Sequence, residues 1–141
     1  MATTVLSNPV VSVGASSPGT ALTTQVVSAV VNTSQEQLDS TAFGQTNRTY
    51  VGGLTNCSIT LTLLMDYSAS STYALLNSLV GASATYVAVK ATTAAISATN
   101  PEFQLTNGYL ESFDVVNASL GTLQQVECVF VGGTLVKDVT P

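Results

Sequence analysis

The chain contains no histidine and no tryptophan, and only 3 of its 141 residues are lysine or arginine. Each absence removes a class of function. Without histidine, the Ser-His-Asp and Cys-His catalytic arrangements cannot be built. Two cysteines, Cys57 and Cys128, cannot by themselves complete a typical zinc site. The only cations are Arg48, Lys90 and Lys137 against a net charge of −5, so there is no basic footprint for gripping a polyanion through its phosphates. DNA meeting this surface should slide past rather than bind. Neither G-x-x-x-x-G-K-[ST] nor G-x-G-x-x-G occurs, and the doublets Gly52-Gly53 and Gly132-Gly133 read as turns rather than phosphate cradles. No run approaches the roughly 18 apolar residues of a membrane span. The N-terminal M-A-T-T-V-L-S-N-P lacks a positive n-region and an uninterrupted apolar h-region, so no signal peptide is expected. That favours free thiols in a reducing compartment, with an inter-strand Cys57–Cys128 disulfide as the alternative.

What is present is apolar and neutral-polar. Hydrophobic residues make up 45% of the chain and charged residues 8%, against about 25% charged in an ordinary soluble domain. Ser, Thr, Asn and Gln take the place of the missing charges. Such a surface fits faces that other subunits cover; it also fits the solvated Ser/Thr-rich β-surface of many secreted sandwiches. The length allows one domain with its own core. The Ser/Thr/Gly/Pro-rich residues 1–20, with a short apolar piece Val10–Val13, read as an extended N-terminal arm. Residues 21–141 then form a single domain.

Along that domain the dominant period is two. In Thr55–Asp66, Cys57, Ile59, Leu61, Leu63 and Met65 fall on one face, with Ser58, Thr60 and Thr62 on the other, the pattern of a half-buried strand. Thr20–Val31 is a Val/Thr-rich strand candidate. Ser34–Ser40 continues a hairpin or forms an exposed edge, and Thr41–Arg48 is turn-like. Gly52-Gly53 marks a bulge. Ser68–Leu79 is the one helix candidate. Asp66 or Ser68 would cap it, Tyr73, Leu76, Leu79 and Val80 would form its apolar face, and Gly81 stands at its C-terminal stop. Ser83–Lys90 is a further strand, and Asn100-Pro101 marks a turn. Phe103–Val116 alternates with Tyr109, Phe113 and Val115 set for burial, and a bulge near Gly108 would switch its faces. Leu123–Val131 places Val126, Cys128 and Phe130 on one side. Gly132-Gly133 reads as a tight turn into Thr134–Val139. The expected fold is mainly β: an antiparallel β-sandwich or barrel of about seven or eight strands with one flanking α-helix at about 68–80.

The eight carboxylates are Glu36, Asp39, Asp66, Glu102, Glu111, Asp114, Glu127 and Asp138. Glu111, Asp114 and Glu127 converge across the hairpin 103–116/123–131. A paired-carboxylate glycosidase would also need a pocket and aromatic sugar platforms, and the chain has no Trp to supply them. No enzyme activity and no cofactor are expected. Four N-x-[ST] triplets, beginning at Asn32, Asn47, Asn56 and Asn117, follow from the Ser/Thr richness and matter only in a secreted chain.

The stretch D-S-T-A-F-G…R-T-Y-V-G-G-L-T-N-C-S-I-T-L-T-L-L-M-D-Y, between Asp39 and Tyr67, resembles the tail tube (major tail) proteins of long-tailed bacteriophages and related prophages. T-Y-A-L-L-N-S-L-V-G, the strand ending V-A-V-K, and A-A-I-S-A-T-N-P-E-F with the segments after it extend the likeness from about Glu36 to the C-terminus. The resemblance implies a structural virion protein whose hexameric rings stack into a hollow tube for DNA ejection. The implied fold is a β-sandwich or barrel with a flanking helix. Ring closure would join sheets edge to edge. The implied partners are further copies and other tail proteins (tape measure, tail terminator, baseplate or tip), with DNA passing unbound and no membrane. The implied location is the virion tail, after assembly in the host cytoplasm. An acidic lumen is expected in such a tube, for which Glu111, Asp114 and Glu127, or Glu36 and Asp39, are the candidates. Arg48 is either a solvated side chain or a partner for a carboxylate on the next subunit. The competing readings are a capsid decoration or head–tail connector protein, and a secreted β-sandwich binding module.

Overall fold

The computed structural model describes residues 9–16, 19–68 and 72–140. Its elements in chain order are β1 (Val10–Gly14), β2 (Thr20–Ala21), β3 (Val26–Asp39), β4 (Tyr50–Leu64), α1 (Thr72–Leu79), β5 (Thr85–Lys90), β6 (Glu102–Phe113), β7 (Gln125–Val131) and β8 (Thr134–Asp138). All pairings are antiparallel. The strands run β2-β1-β5-β6-β7-β4-β3, with β8 beside β6, in a sheet that does not close into a barrel. The sheet instead folds over at β6 into two layers. One holds β2, β1, β5, β8 and the first half of β6; the other holds the second half of β6 with β7, β4 and β3.

The core lies between the layers and follows the period-2 pattern. Val11, Val13, Val87 and Leu105 enter it from the first layer, and Ile59, Leu61, Leu63, Val126, Cys128 and Phe130 from the second. Leu76 and Leu79 of α1 complete it, and every side chain just named is at most 3% exposed. Each such burial contributes about 1.5–3 kcal/mol, which is why the alternating segments fold as they do. Val11 and Val13 belong to the stretch read as an arm, so residues 10–14 are a strand of the sandwich. Residues 1–8 and 17–18 of that reading lie outside the described residues.

Several boundaries differ from the sequence pattern. Thr20–Val31 is not one strand: Leu22 drops into the core, and the amides of Gln25 and Val26 turn back to its carbonyl. Polar Ser34–Asp39, by contrast, continues β3 through the hairpin as an exposed edge, as its sequence indicated. The helix is shorter than 68–80; residues 69–71 are outside the described residues. Its first turn is tied back by the Tyr73 amide donating to the Asp66 carbonyl at 3.0 Å. Asp66 caps the preceding turn, accepting from the Ser68 amide. Thr72 takes the buried place expected for Val80, which is exposed. Gly81 follows the helix at φ 79°.

The corner of the sandwich is a paired kink. Along 102–108, β6 pairs with β5 and β8; along 109–113 it pairs with β7. At the crossing point Asn107 has φ 58°, and on the facing strand Gly132 and Gly133 have φ 77° and 65°. Because β7 and β8 both run antiparallel to β6, Gly132-Gly133 reverses nothing. It bends one long strand from the second layer into the first, which corrects the expected hairpin turn. A Cβ at Gly133 would collide with the Thr106 carbonyl oxygen and stand 2.7 Å from the Asn107 carbonyl carbon. The bulge at Asn107-Gly108 does switch faces, as its glycine indicated. In consequence Leu110 rather than Tyr109 points inward, and Tyr109 is about half exposed. A second register shift at Glu111 returns Phe113 toward the core.

Candidate assembly surface

The β3–β4 pair is far longer than the core needs. Ile59, Leu61 and Leu63 anchor its base. From Asn32 to Asn56, every residue except Gly53 is exposed. Here the two strands pair only with each other. The distal hairpin therefore protrudes as a two-stranded ribbon, an element that is marginal in water without further packing. Val and Thr supply β-propensity, and the register shift opposite Gly52-Gly53 places a bulge where the doublet indicated one.

Its tip is organised by its own polar groups. Ser40 and Thr49 share a hydroxyl–hydroxyl bond of 2.9 Å, the Thr49 amide donates to the Thr41 hydroxyl at 2.9 Å, and the Ala42 amide donates to Gln45 Oε1 at 2.7 Å. Asp39 joins the two sides, accepting from the Thr41 amide and from Arg48 Nη1, each at 2.9 Å. Thr41, through its hydroxyl and its amide, and then Arg48 hold the Asp39 carboxyl below its ordinary range. This ordered loop presents Phe43 wholly to solvent, with Leu38, Tyr50, Val51 and Leu54 exposed along the ribbon.

The sequence-named carboxylates fall into two groups. Glu127 lies between inward-facing Val126 and Cys128, so it projects from the outer face of the second layer, opposite Thr62. Asp114 follows β6, and its amide donates to the Glu127 carbonyl at 3.2 Å. Glu111 occupies the β6 bulge. The β6–β7 pairing thus brings these three to one region, all exposed. Burial, with the charges of Glu127 and Asp114 adding to it, pushes the Cys128 thiol up to about 12. Glu36 and Asp39 lie apart on the distal hairpin. Both thiols are free, Cys57 half-buried and Cys128 buried.

Charge is divided between the layers. In the first, Lys90 and Lys137 offset Glu102 and Asp138. The six other carboxylates face a single Arg48, so the whole net charge of −5 resides on the second layer, its hairpin and its connections. Lys90 is cross-strand from Glu102, and Glu102 from Asp138.

Two features escaped the sequence pattern. One is the exposure of Phe43, hidden inside a stretch that reads only as a turn. The other is the loop 114–124, where Val115, Val116, Leu120 and Leu123 are exposed. An aromatic brace holds it: Tyr67 stacks near Tyr73 at 5.3 Å, Tyr73 near Phe113 at 6.3 Å, and the Tyr67 hydroxyl donates to the Val115 carbonyl at 2.7 Å. Four apolar residues within a turn-rich segment were the available signal.

No family model and no curated protein matches the chain. Solved structures do. The fold matches a chain of the SPP1 tail tube with a TM-score of 0.74 at 10% identity, over 98% of this chain and 80% of that one. It matches a chain from the tail of a gene transfer agent particle, solved with C6 symmetry, with a TM-score of 0.66 at 14% identity, over 92% and 95%. A chain of the sheath–tube complex of an extracellular contractile injection system, PVC, matches with a TM-score of 0.69 at 12% identity, over 98% and 93%. The fold is therefore that of chains found in tail and tube assemblies.

Proposed function

We propose that this chain is a structural subunit of a phage-type tail tube, with copies closing into hexameric rings that stack into a hollow conduit for DNA. The observation that carries this is the long β3–β4 ribbon, exposed over almost its whole distal half, on a fold that matches the SPP1 tail-tube chain over 98% of its own length. Such a ribbon gains little inside one subunit and much between subunits. Among the described residues β3 also has one unpaired edge along its length, and edge-to-edge joining of neighbouring sheets satisfies those backbone groups. The sixfold symmetry of the gene transfer agent tail supports the ring number.

In this arrangement the outer face of the second layer lines the lumen. Ser58, Thr60 and Thr62 form a neutral polar surface there, Glu127 and Glu111 add negative charge, and both lysines lie on the other layer. A polyanion is repelled weakly and held nowhere. Asp114 extends this acidic region, Glu36 and Asp39 carry it along the hairpin, and Arg48 serves as an interface group at the tip. The remaining partners are the tape measure, tail terminator and baseplate or tip proteins, in the virion tail.

The test is negative-stain electron microscopy of the purified protein together with its mass by light scattering. Six-membered rings or hollow striated tubes are expected. A strictly monomeric species over a wide concentration range overturns the reading and favours the decoration-protein or binding-module alternatives.

A further inference from the structure

The sandwich is open at one corner. At the start of β3, the inward-facing side chains Val26, Ala29 and Val31 stop short of Val89 and Phe103 on the first layer, leaving among the described residues an apolar cleft of about 570 Å³ that Pro9 also lines. All five are only half-buried, and Val26, Ala29, Val31 and Val89 sit at the margin of the core cluster. Lys90 is the one charged residue lining the cleft. At the other end of the same strand stands the hairpin tip, with Phe43 fully exposed and an excess of carboxylate: Glu36 and Asp39 against Arg48.

We propose that the cleft is the receptor for the hairpin tip of a second copy of this chain, with Phe43 entering between β3 and the Val89–Phe103 pair. This rests on the tail-tube reading and specifies its axial contact. The shapes are complementary, since a protruding apolar side chain meets an apolar mouth that no described residue fills. The charges are complementary as well: the net negative tip brings its carboxylates to Lys90. A contact between two different surfaces of one chain is heterologous, so it repeats without closing and builds a stack. The spacing follows from the strand. Cleft and tip are separated by most of β3 and the loop beyond it, so the axial repeat should be about 40 Å at about 3.3 Å per residue.

The contact is tested in a Cys57→Ser background with buried Cys128 retained. Chains carrying Phe43→Cys alone are mixed with chains carrying Val89→Cys alone, assembled, and oxidised with diamide. Disulfide-linked dimers are expected from the mixture and from neither variant by itself, and a chain carrying both substitutions should give a ladder of multimers. Tubes that form without the cross-link overturn the contact and leave the tail-tube function standing; a wild-type chain that never leaves the monomer overturns the function itself. Phe43→Ser gives an independent reading. Because Phe43 is wholly exposed, the subunit's melting temperature should not change, while the concentration needed for tube growth should rise roughly tenfold or more. An unchanged growth threshold in that variant also overturns the proposal.

Discussion

The two halves of β4 are one continuous strand under two different sets of forces. From Cys57 to Leu63 the side chains alternate between a packed core and an outer face, and Ile59, Leu61 and Leu63 are completely buried. From Tyr50 to Asn56 the same strand keeps its antiparallel partner but loses both faces to solvent. Backbone pairing is common to both halves, so pairing is not what distinguishes a stabilising strand from a projecting one. Burial is. The base of the ribbon holds the subunit together, and the distal half is held out from it, apolar side chains included.

That contrast is broken or sharpened most strongly at the core. Phe130, fully buried opposite Ile59, should cost about 3–5 kcal/mol of stability on truncation to alanine, measured by urea unfolding. Leu54, 78% exposed on the distal half, should cost less than about 0.5 kcal/mol in the same measurement on monomer. Comparable losses would mean that the ribbon packs within its own subunit, and the distinction would collapse.

The next largest effect is expected at the corner joining the layers. Gly133→Ala forces a left-handed conformation on a residue with a Cβ, worth about 1–3 kcal/mol, and adds the collision with the β6 backbone. Gly44, also at positive φ but in the open hairpin tip with nothing within 4 Å of a built Cβ, should lose only the conformational part, about 1 kcal/mol. Thermal melting of the two variants compares a constrained glycine with a merely permissive one.

The core half was legible in the sequence for the same reason that it is stable. Ile59, Leu61, Leu63, Val126, Cys128 and Phe130 declare their faces by alternation, and the two layers meet where those faces point. The Gly132-Gly133 doublet signalled a special backbone, but the local sequence could not say whether the chain reverses or only bends. The answer depends on β6 supplying partners to both β7 and β8, a non-local fact. The distal hairpin was legible as strand and turn but not as a projection, because exposure of Leu38, Phe43 and Leu54 depends on what lies above them in space. Likewise Tyr109 fits the alternation of its own strand and is turned outward by a bulge two residues earlier. Among the candidate site residues, convergence of Glu111, Asp114 and Glu127 could be read from the hairpin, whereas the concentration of the net charge on one layer required the topology.

At neutral pH a silent difference separates buried from exposed positions, and it appears only in alkali. Burial raises the Cys128 thiol to about 12 from its ordinary value of 9.0. The unfolded chain therefore ionises this thiol first. The stability contribution is complete below pH 9 and is lost between about pH 9 and pH 12, at up to about 1.4 kcal/mol per pH unit. Stability measured across this range should fall less steeply in Cys128→Ala, even though that variant starts lower. At pH 8 Cys128 should resist alkylation in the native protein and react on unfolding.

The smallest effect belongs to the tip. Arg48 and Asp39 form a 2.9 Å ion pair with side chains 72% and 45% exposed, and pairs in that setting contribute about 0–1 kcal/mol. Arg48→Ala should therefore leave the monomer's melting temperature nearly unchanged, since Thr41 still engages Asp39 through its amide. On the tail-tube proposal its consequence should appear in assembly. Removing the only cation on the hairpin makes the tip more negative, and the Asp39 carboxylate is freed to meet a cation on the neighbouring copy. If Arg48 itself pairs with a neighbour's carboxylate, tube growth weakens in the variant. If instead the tip's negative charge is what the neighbour reads, growth is unchanged or stronger at low ionic strength, and the difference fades as salt screens it. Growth thresholds at two salt concentrations distinguish these outcomes, and with them whether the cation or the carboxylate of this pair faces the next subunit.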